Sequence, residues 1–207
     1  MKKWMAVCLC SVLFCGLLCA CGAENNAAAE ESRLSKVTTY DGNGDFLQSY
    51  EYVYDEDGNH TKDLYLGRSE DTGEIVYSYD SNGNLIEEVE KYSKISEEFV
   101  TTYTYDENGL CIESVDHRNE KTEYRYDQNG YIIKEILFDS EGQWFCTHNY
   151  KNDEHGEWIE MISEYASGSG STFTQENEYD DKGNRIKAVI YSEDGTVERT
   201  HIYEYTD

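Results

Sequence analysis

Tyrosine recurs along this chain in pairs separated by a single residue. Tyr52/Tyr54, Tyr77/Tyr79, Tyr103/Tyr105 and Tyr124/Tyr126 are such pairs, and the residue enclosed is usually polar: Ser78, Thr104, Arg125. Side chains alternate across a β-strand, so positions i and i+2 share a face. Each pair therefore predicts a strand with one aromatic face and one wet face. Asp-x-x-Gly follows every pair directly, as Asp55/Gly58, Asp80/Gly83, Asp106/Gly109 and Asp127/Gly130, with a looser copy at Tyr179-Asp180/Gly183. Asp suits the first position of a type I turn, and Gly accepts the left-handed conformation that closes a hairpin. The predicted unit is strand, tight turn, strand.

The return strands have their own pattern. Counted from the turn glycine, the third residue is Ile86, Ile112, Ile133, Ile159 or Ile186, with Thr61 as the exception. The fourth is charged throughout: Lys62, Glu87, Glu113, Lys134, Glu160, Lys187. The sixth is Leu64, Val89, Val115, Ile136, Ile162 or Val189. Apolar residues three apart do not fit strict alternation. Either a β-bulge shifts the face between them, or both faces are partly covered, or 159–165 forms a short helix. Bulged strands agree best with the Val, Ile and Tyr enrichment. Weaker turns are expected at 71–73, 139–142 and 192–195, and 167–171 (Ser-Gly-Ser-Gly-Ser) reads as an inserted flexible loop. The fold class expected is all-β: an antiparallel meander of hairpin repeats in a twisted or coiled sheet.

Fixed-period similarity of this kind marks a repeat architecture. The segments 80–85 (DSNGNL), 105–109 (YDENG) and 126–132 (YDQNGYI) resemble the RHS/YD-repeat family over about residues 40–207. That resemblance implies strands wound as a broad coiling sheet, with too few repeats here to enclose a toxin segment. It also implies a cell-surface role in binding carbohydrate or protein. Choline-binding and clostridial-toxin cell-wall repeats also combine aromatics with Gly turns, but their Trp-Tyr-Tyr hallmark is missing.

The N-terminus divides the chain further. Lys2-Lys3, an apolar run over 4–18 and Leu18-Cys19-Ala20-Cys21-Gly22 read as an export signal. The last part is similar to a bacterial lipobox, which implies cleavage before Cys21 and lipidation of its sulfur. The competing reading is an uncleaved anchor, for which the run is short. The expected domains are a signal peptide over 1–20, a lipidated Cys21 with a polar tether over 21–36, and a repeat domain over 37–207. Acyl chains on Cys21 would hold the protein on the outer face of a bacterial membrane.

Charge narrows the partners. The chain holds 17 Lys and Arg against 43 Asp and Glu. Such acidity repels nucleic acid and anionic headgroups, and leaves a basic protein partner open. The 19 tyrosines at periodic positions argue for a folded domain despite that charge.

Little in the sequence points to catalysis. Cys146-x-His148 places two ligand types on one strand face, without an obvious third or fourth. Cys111 and Cys146 fall on strands about two apart, too far for a disulfide. Asp41-x-Asn43-x-Asp45 opens like a calcium loop, but Phe46 and Tyr52 stand where Gly and Glu are needed, so it reads as a turn. No phosphate-binding loop, catalytic order of Ser, His and Asp, or cofactor motif is present. The expectation is a non-enzymatic binding or adhesion module without a cofactor; alternatives are an envelope scaffold or an acidic inhibitor of immunity type. Trp144 and Trp158, each just after a turn glycine, are the candidate platforms for carbohydrate. Most of the tyrosines are expected to be core.

Overall fold

The computed structural model describes residues 32–206. Fourteen strands follow one another: β1 (Arg33–Asp41), β2 (Phe46–Tyr54), β3 (His60–Gly67), β4 (Thr72–Tyr79), β5 (Leu85–Tyr92), β6 (Phe99–Tyr105), β7 (Cys111–Val115), β8 (Lys121–Tyr126), β9 (Ile132–Phe138), β10 (Trp144–Asn152), β11 (Trp158–Tyr165), β12 (Gly170–Tyr179), β13 (Arg185–Ser192) and β14 (Val197–Thr206). Each pairs antiparallel with its sequence neighbours, and β1 pairs with β14 to close a barrel. The 3-10 turn η1 (Arg68–Glu70) joins β3 to β4.

The tips form as the sequence predicts. Asp80 N–H donates to the Asn84 carbonyl at 2.9 Å, and Gly83 N–H donates back to the Asp80 carbonyl at 3.1 Å. Asp80 Oδ1 accepts from the N–H groups of Asn82 and Asn84 at 2.8 and 2.9 Å. Gly83 sits at φ 86°, where a side chain is strained. Gly58, Gly109, Gly130 and Gly183 repeat this geometry at φ 81–87°. Their N–H groups donate to the carbonyls of Asp55, Asp106, Asp127 and Asp180 at 3.0–3.2 Å. The copy at Gly183, looser in sequence, is therefore as regular in structure as the others. In the β7–β8 turn Asn119 takes the glycine's place at φ 62°, as Asn tolerates.

The three-residue spacing comes from a bulge. Ser78 pairs with Glu87 and Tyr79 with Leu85, which leaves Ile86 over. The same slip follows Val53, Thr104, Arg125, Lys151 and Glu178. Ile86, Ile112, Ile133 and Ile186 are thereby left on the outer surface, at 42, 38, 40 and 38% exposure. Residues four and six of the return strand also face outward, and residue five faces inward. The reading of 159–165 as a helix fails, because β11 is a strand throughout.

The second tyrosine of most pairs secures the strand beside the bulge. Tyr54, Tyr105, Tyr126 and Tyr205 donate their hydroxyls to the carbonyls of Leu34, Leu85, Cys111 and Arg185, at 2.6–3.0 Å. Asn152 does the same to Ile132 at 2.8 Å. Tyr205→Phe is expected to cost about 1 kcal/mol, measured as a lower midpoint in urea with an unchanged slope.

Closure corrects the expectation of an open, coiled YD-repeat sheet. The barrel opens with β1, which precedes the first tyrosine pair, and ends with β14, which carries Tyr203 and Tyr205. These edge strands satisfy each other, with Val37 opposite Tyr203 and Thr39 opposite His201. Val37, Tyr52, Ala188 and Tyr203 form a buried cluster at this seam. Closing the sheet removes both edges. The role expected of the turn glycines changes with it. Gly58, Gly83, Gly109, Gly130 and Gly183 do not mark successive windings of a coiling repeat. They sit in hairpin tips that share one rim of the closed barrel, because each tip is separated from the next by two antiparallel strands. Three smaller expectations also change. Residues 33–36, expected in the tether, belong to β1, which opens at Arg33. The turn placed at 71–73 falls earlier, at η1 (68–70), and Thr72 and Gly73 lie inside β4. There the missing side chain of Gly73 lets Tyr65 and Tyr92 meet edge-on at 5.3 Å. The loop placed at 167–171 is a tight turn in which Tyr165 N–H donates to Ser169 at 3.0 Å, and β12 begins at Gly170.

Candidate functional site

Two surfaces of the barrel carry chemistry: its inner wall and the rim built from the Tyr-Asp tips. Antiparallel order places the six tips of Asp55, Asp80, Asp106, Asp127, Asp153 and Asp180 at one end, with the start of β1. The other rim holds the more varied turns.

The inner wall is polar and aromatic. The fifth residue after each tip glycine faces inward, and there stand Asp63, Glu88, Ser114 and Glu135. The first tyrosine of the next pair donates to it: Tyr77 to Asp63 at 2.8 Å, Tyr103 to Glu88 at 3.0 Å and Tyr150 to Glu135 at 2.8 Å. Tyr124 shares a hydrogen bond with Ser114 at 2.8 Å. Tyr-x-Tyr thus holds two partners on the preceding strand, a side-chain acceptor and a backbone carbonyl. Burial pushes the Glu88 and Glu135 carboxyls up to about 7, partly offset by their tyrosine donors. These acceptors were missed in the sequence; their signal is a polar residue between the charged fourth and apolar sixth positions.

Around β10–β12 the wall holds nucleophile types. His148 Nδ1 lies 2.8 Å from Ser163 Oγ, and Cys146 Sγ lies 3.8 Å from His148 Nε2. Ser163 is 1% exposed, and the ring's second nitrogen faces a thiol rather than the carboxylate that orients a hydrolytic triad. Burial holds the Cys146 thiol up at about 11, which keeps it protonated and weakly nucleophilic. Cys111 and Cys146 are both buried, three strands apart on β7 and β10 and not joined by a disulfide. Among the described residues no group of three or more His, Cys, Asp or Glu is placed to hold a metal. Asp41 opens the β1–β2 turn, where its Oδ1 accepts from Asn43 and Asp45 N–H at 3.0 Å.

The outer wall carries charge on nearly every strand. Lys36–Glu51, Lys62–Glu74, Lys121–Glu123 and Lys187–Glu178 pair across or along it at 3.2, 2.7, 2.9 and 2.6 Å. The exposed Ile86, Ile112, Ile133 and Ile186 form one apolar row, and the outward sixth residues, Leu64 and Ile162 among them, form a second, with the ring of charged fourth residues between the two.

The tips make the rim acidic. Asp55, Asp80, Asp106, Asp127, Asp153 and Asp180 all have carboxyls held below the usual range. Turn hydrogen bonds from their own tips lower them in each case; at Asp153 burial opposes this and Tyr179 and Asn177 add to it. Glu56, Asp57, Glu107, Glu154 and Asp181 add charge, and Lys182 is the one Lys or Arg between Asp and Gly in these tips.

Trp144 and Trp158 are not brought together. Trp144 follows the β9–β10 turn at the far rim, 43% exposed, and its indole donates to Thr147 Oγ1 at 2.8 Å. Trp158 opens β11 at the acidic rim, half-buried, with its carbonyl accepting from Gln175 at 2.9 Å. It pairs with Asn152, eight residues along β10 from Trp144, or roughly 26 Å at 3.3 Å per residue. One platform cannot use both rings. Cys21 and the signal peptide over 1–20 lie outside the described residues.

Between two tips lies a notch. Residues Asp127, Asn129 and Tyr131 of the β8–β9 tip face Asn152, Asp153 and Glu154 of the β10–β11 tip across a cavity of about 500 Å³. Of the repeated Tyr-Asp-x-x-Gly positions, Asp127 reaches this notch, whereas Gly58, Gly83, Gly109, Gly130 and Gly183 shape their own turns and do not line it.

No family model and no curated protein matches this chain. Solved structures do. A porin-like protein from Bacteroides vulgatus ATCC 8482 is 10% identical, with 84% of this chain and 98% of that one covered, at a TM-score of 0.52. A porin-like protein from Bacteroides uniformis ATCC 8492 is 11% identical over 84% and 98%, at a TM-score of 0.47. A TcdB2-TccC3 complex is 12% identical over 77% of this chain and 12% of that one, at 0.27. Of these three, only the first likeness reaches the level of a shared fold. Together with closure of the sheet, it overturns the RHS/YD-repeat assignment: the Tyr-Asp motif here builds a fourteen-stranded barrel, not a coiling repeat sheet.

Proposed function

We propose that this chain is a non-enzymatic envelope protein: a water-exposed barrel, tethered through lipid on Cys21, that binds a carbohydrate or a protein. The charged outer wall carries this reading. A barrel that spans a bilayer shows lipid an apolar band about 25 Å tall, and Lys or Arg at its midplane costs about 2–4 kcal/mol. Here Lys62, Glu87, Glu113, Lys134, Glu160 and Lys187 ring the wall just beyond the bulges. Side chains rather than strands alone decide between a pore and a water-exposed barrel, and the charged ring on this wall favours the latter.

Fractionation of cells that express the full chain tests it. The wild type is expected in the membrane fraction, with a lipid mass on Cys21, and Cys21→Ser in the soluble fraction. A Cys21→Ser protein that stays in the membrane and needs detergent would contradict the proposal. The acidic rim favours a second reading, in which the partner is a basic protein. Association would then weaken steeply with salt.

A further inference from the structure

We propose that the notch between the β8–β9 and β10–β11 tips binds a neutral or amino saccharide, with the Tyr131 ring as its stacking face. This rests on the binding function above and gives it a location. The position after the tip glycine is the distinguishing one. At three tips it is Asn59, Asn84 or Asn184, and the amide closes onto its own turn's Asp at 2.9–3.0 Å. At 131 it is tyrosine, and the ring leaves its own turn for the next one. A Cβ on Gly156 would lie 2.5 Å from Tyr131 Cε1, so the glycine makes room for the ring. The phenol reaches only to 3.5 Å from the Glu154 carbonyl, which leaves it loosely held.

The cavity beside this ring, at about 500 Å³, is of the size that holds small ligands. The apolar C–H face of a pyranose matches an aromatic face, and its hydroxyls match what surrounds it. Asn129 and Asn152 bring amides, Asp127 and Glu154 bring acceptors, and Lys151 is the single cation lining it. The Glu154 side chain is 90% exposed. Acceptors outweigh cations, so hydroxyl and ammonium donors are favoured and sulfated or phosphorylated sugars are repelled.

The test is calorimetric titration of residues 22–207 with neutral, amino and sulfated oligosaccharides, on the wild type, Tyr131→Ala, Tyr131→Phe and Asn129→Trp. Asn129 is exposed; its backbone N–H holds the turn at 2.8 Å and its amide adds only a longer bond, 3.3 Å, to Asp127 Oδ2, so Asn129→Trp fills the notch with the backbone bonds of the turn kept. Saturable binding of a neutral or amino sugar is expected. Tyr131→Ala and Asn129→Trp should weaken it at least about tenfold, the loss of one aromatic contact, and Tyr131→Phe about twofold or less. Wild-type binding that survives both Tyr131→Ala and Asn129→Trp overturns the site and leaves the binding function standing. Preference for sulfated sugars overturns the ligand class. A wild type that binds no saccharide overturns the inference together with the carbohydrate form of the proposed function.

Discussion

Asp63→Ala is expected to remove about 3–5 kcal/mol of stability, the range for stripping one partner from a buried ionic or hydrogen-bonded pair. Asp63 is 4% exposed. Its Oδ1 lies 2.6 Å from His60 Nε2, and its Oδ2 accepts from Tyr77 at 2.8 Å. His60 in turn packs between Tyr52, Tyr54 and Tyr77, with ring centroids 4.6–5.4 Å away. One carboxylate therefore positions the imidazole and the first tyrosine of the next hairpin. Alanine leaves both groups facing a cavity without an acceptor. Thermal unfolding should fall by roughly 10 °C, at about 2–4 °C per kcal/mol for a domain of this size. Asp63→Asn keeps an acceptor oxygen and should lose about 1 kcal/mol. Equal losses from the two variants would show that neither the volume nor a single neutral acceptor oxygen replaces the carboxylate at this position.

Stability is expected to rise as pH falls from 8 to about 5. Glu88 and Glu135 have carboxyls raised from 4.5 to about 7, chiefly by burial. A carboxyl that binds its proton more tightly in the folded state adds stability that is complete below the unfolded pKa. That contribution is lost as pH climbs through the folded value. For Glu135, 6% exposed, the difference amounts to about 3 kcal/mol. The tip aspartates act with the opposite sign. Asp80, Asp106 and Asp127 have lowered carboxyl pKa values, because backbone N–H groups bind the ionised form. Their contribution is present above the unfolded value near 3.8 and fades as pH falls through the folded one. The two sets together place the maximum between about pH 4 and 5. Urea midpoints from pH 4.8 to 8 measure it, and Glu135→Gln should flatten a large part of the slope. A midpoint that is level, or higher at pH 8 than at pH 5, would show that these carboxyls are ionised and well solvated on the inner wall.

Much of the local structure was legible in the sequence. Tyr77-x-Tyr79 followed by Asp80-x-x-Gly83 specifies strand, face and turn through short-range rules, and each residue performs the role its type suggests. The bulge was legible from the interval between Ile86 and Val89. Closure was not. It depends on β1 meeting β14 across nearly the whole chain, and 33–41 carries no tyrosine pair to mark it. Strand number and tilt decide whether a sheet meets itself, and neither is written in a seven-residue motif. A glycine such as Gly109 or Gly130 fixes the bend of its own hairpin and says nothing of whether successive hairpins coil or close. The separation of Trp144 from Trp158 follows from turn order alone. One turn after a strand lies at the opposite end of the barrel from the next, so tryptophans after consecutive turns are a strand length apart. The inner acceptors were hidden for a different reason. Asp63, Glu88 and Glu135 sit next to the charged residues Lys62, Glu87 and Lys134, and in so acidic a chain a further carboxylate draws no notice.

The most direct measurement of the central claim reports what surrounds the outer wall in the membrane-tethered protein. Spin labels at Ser78, Thr104 and Glu178, and at Thr102 and Val189, would sample two levels of that wall on several strands. Water-soluble paramagnetic relaxants should reach every label more readily than oxygen dissolved in lipid does. A contiguous band of labels relaxed mainly by oxygen would place the wall in a bilayer, and the water-exposed barrel would be wrong.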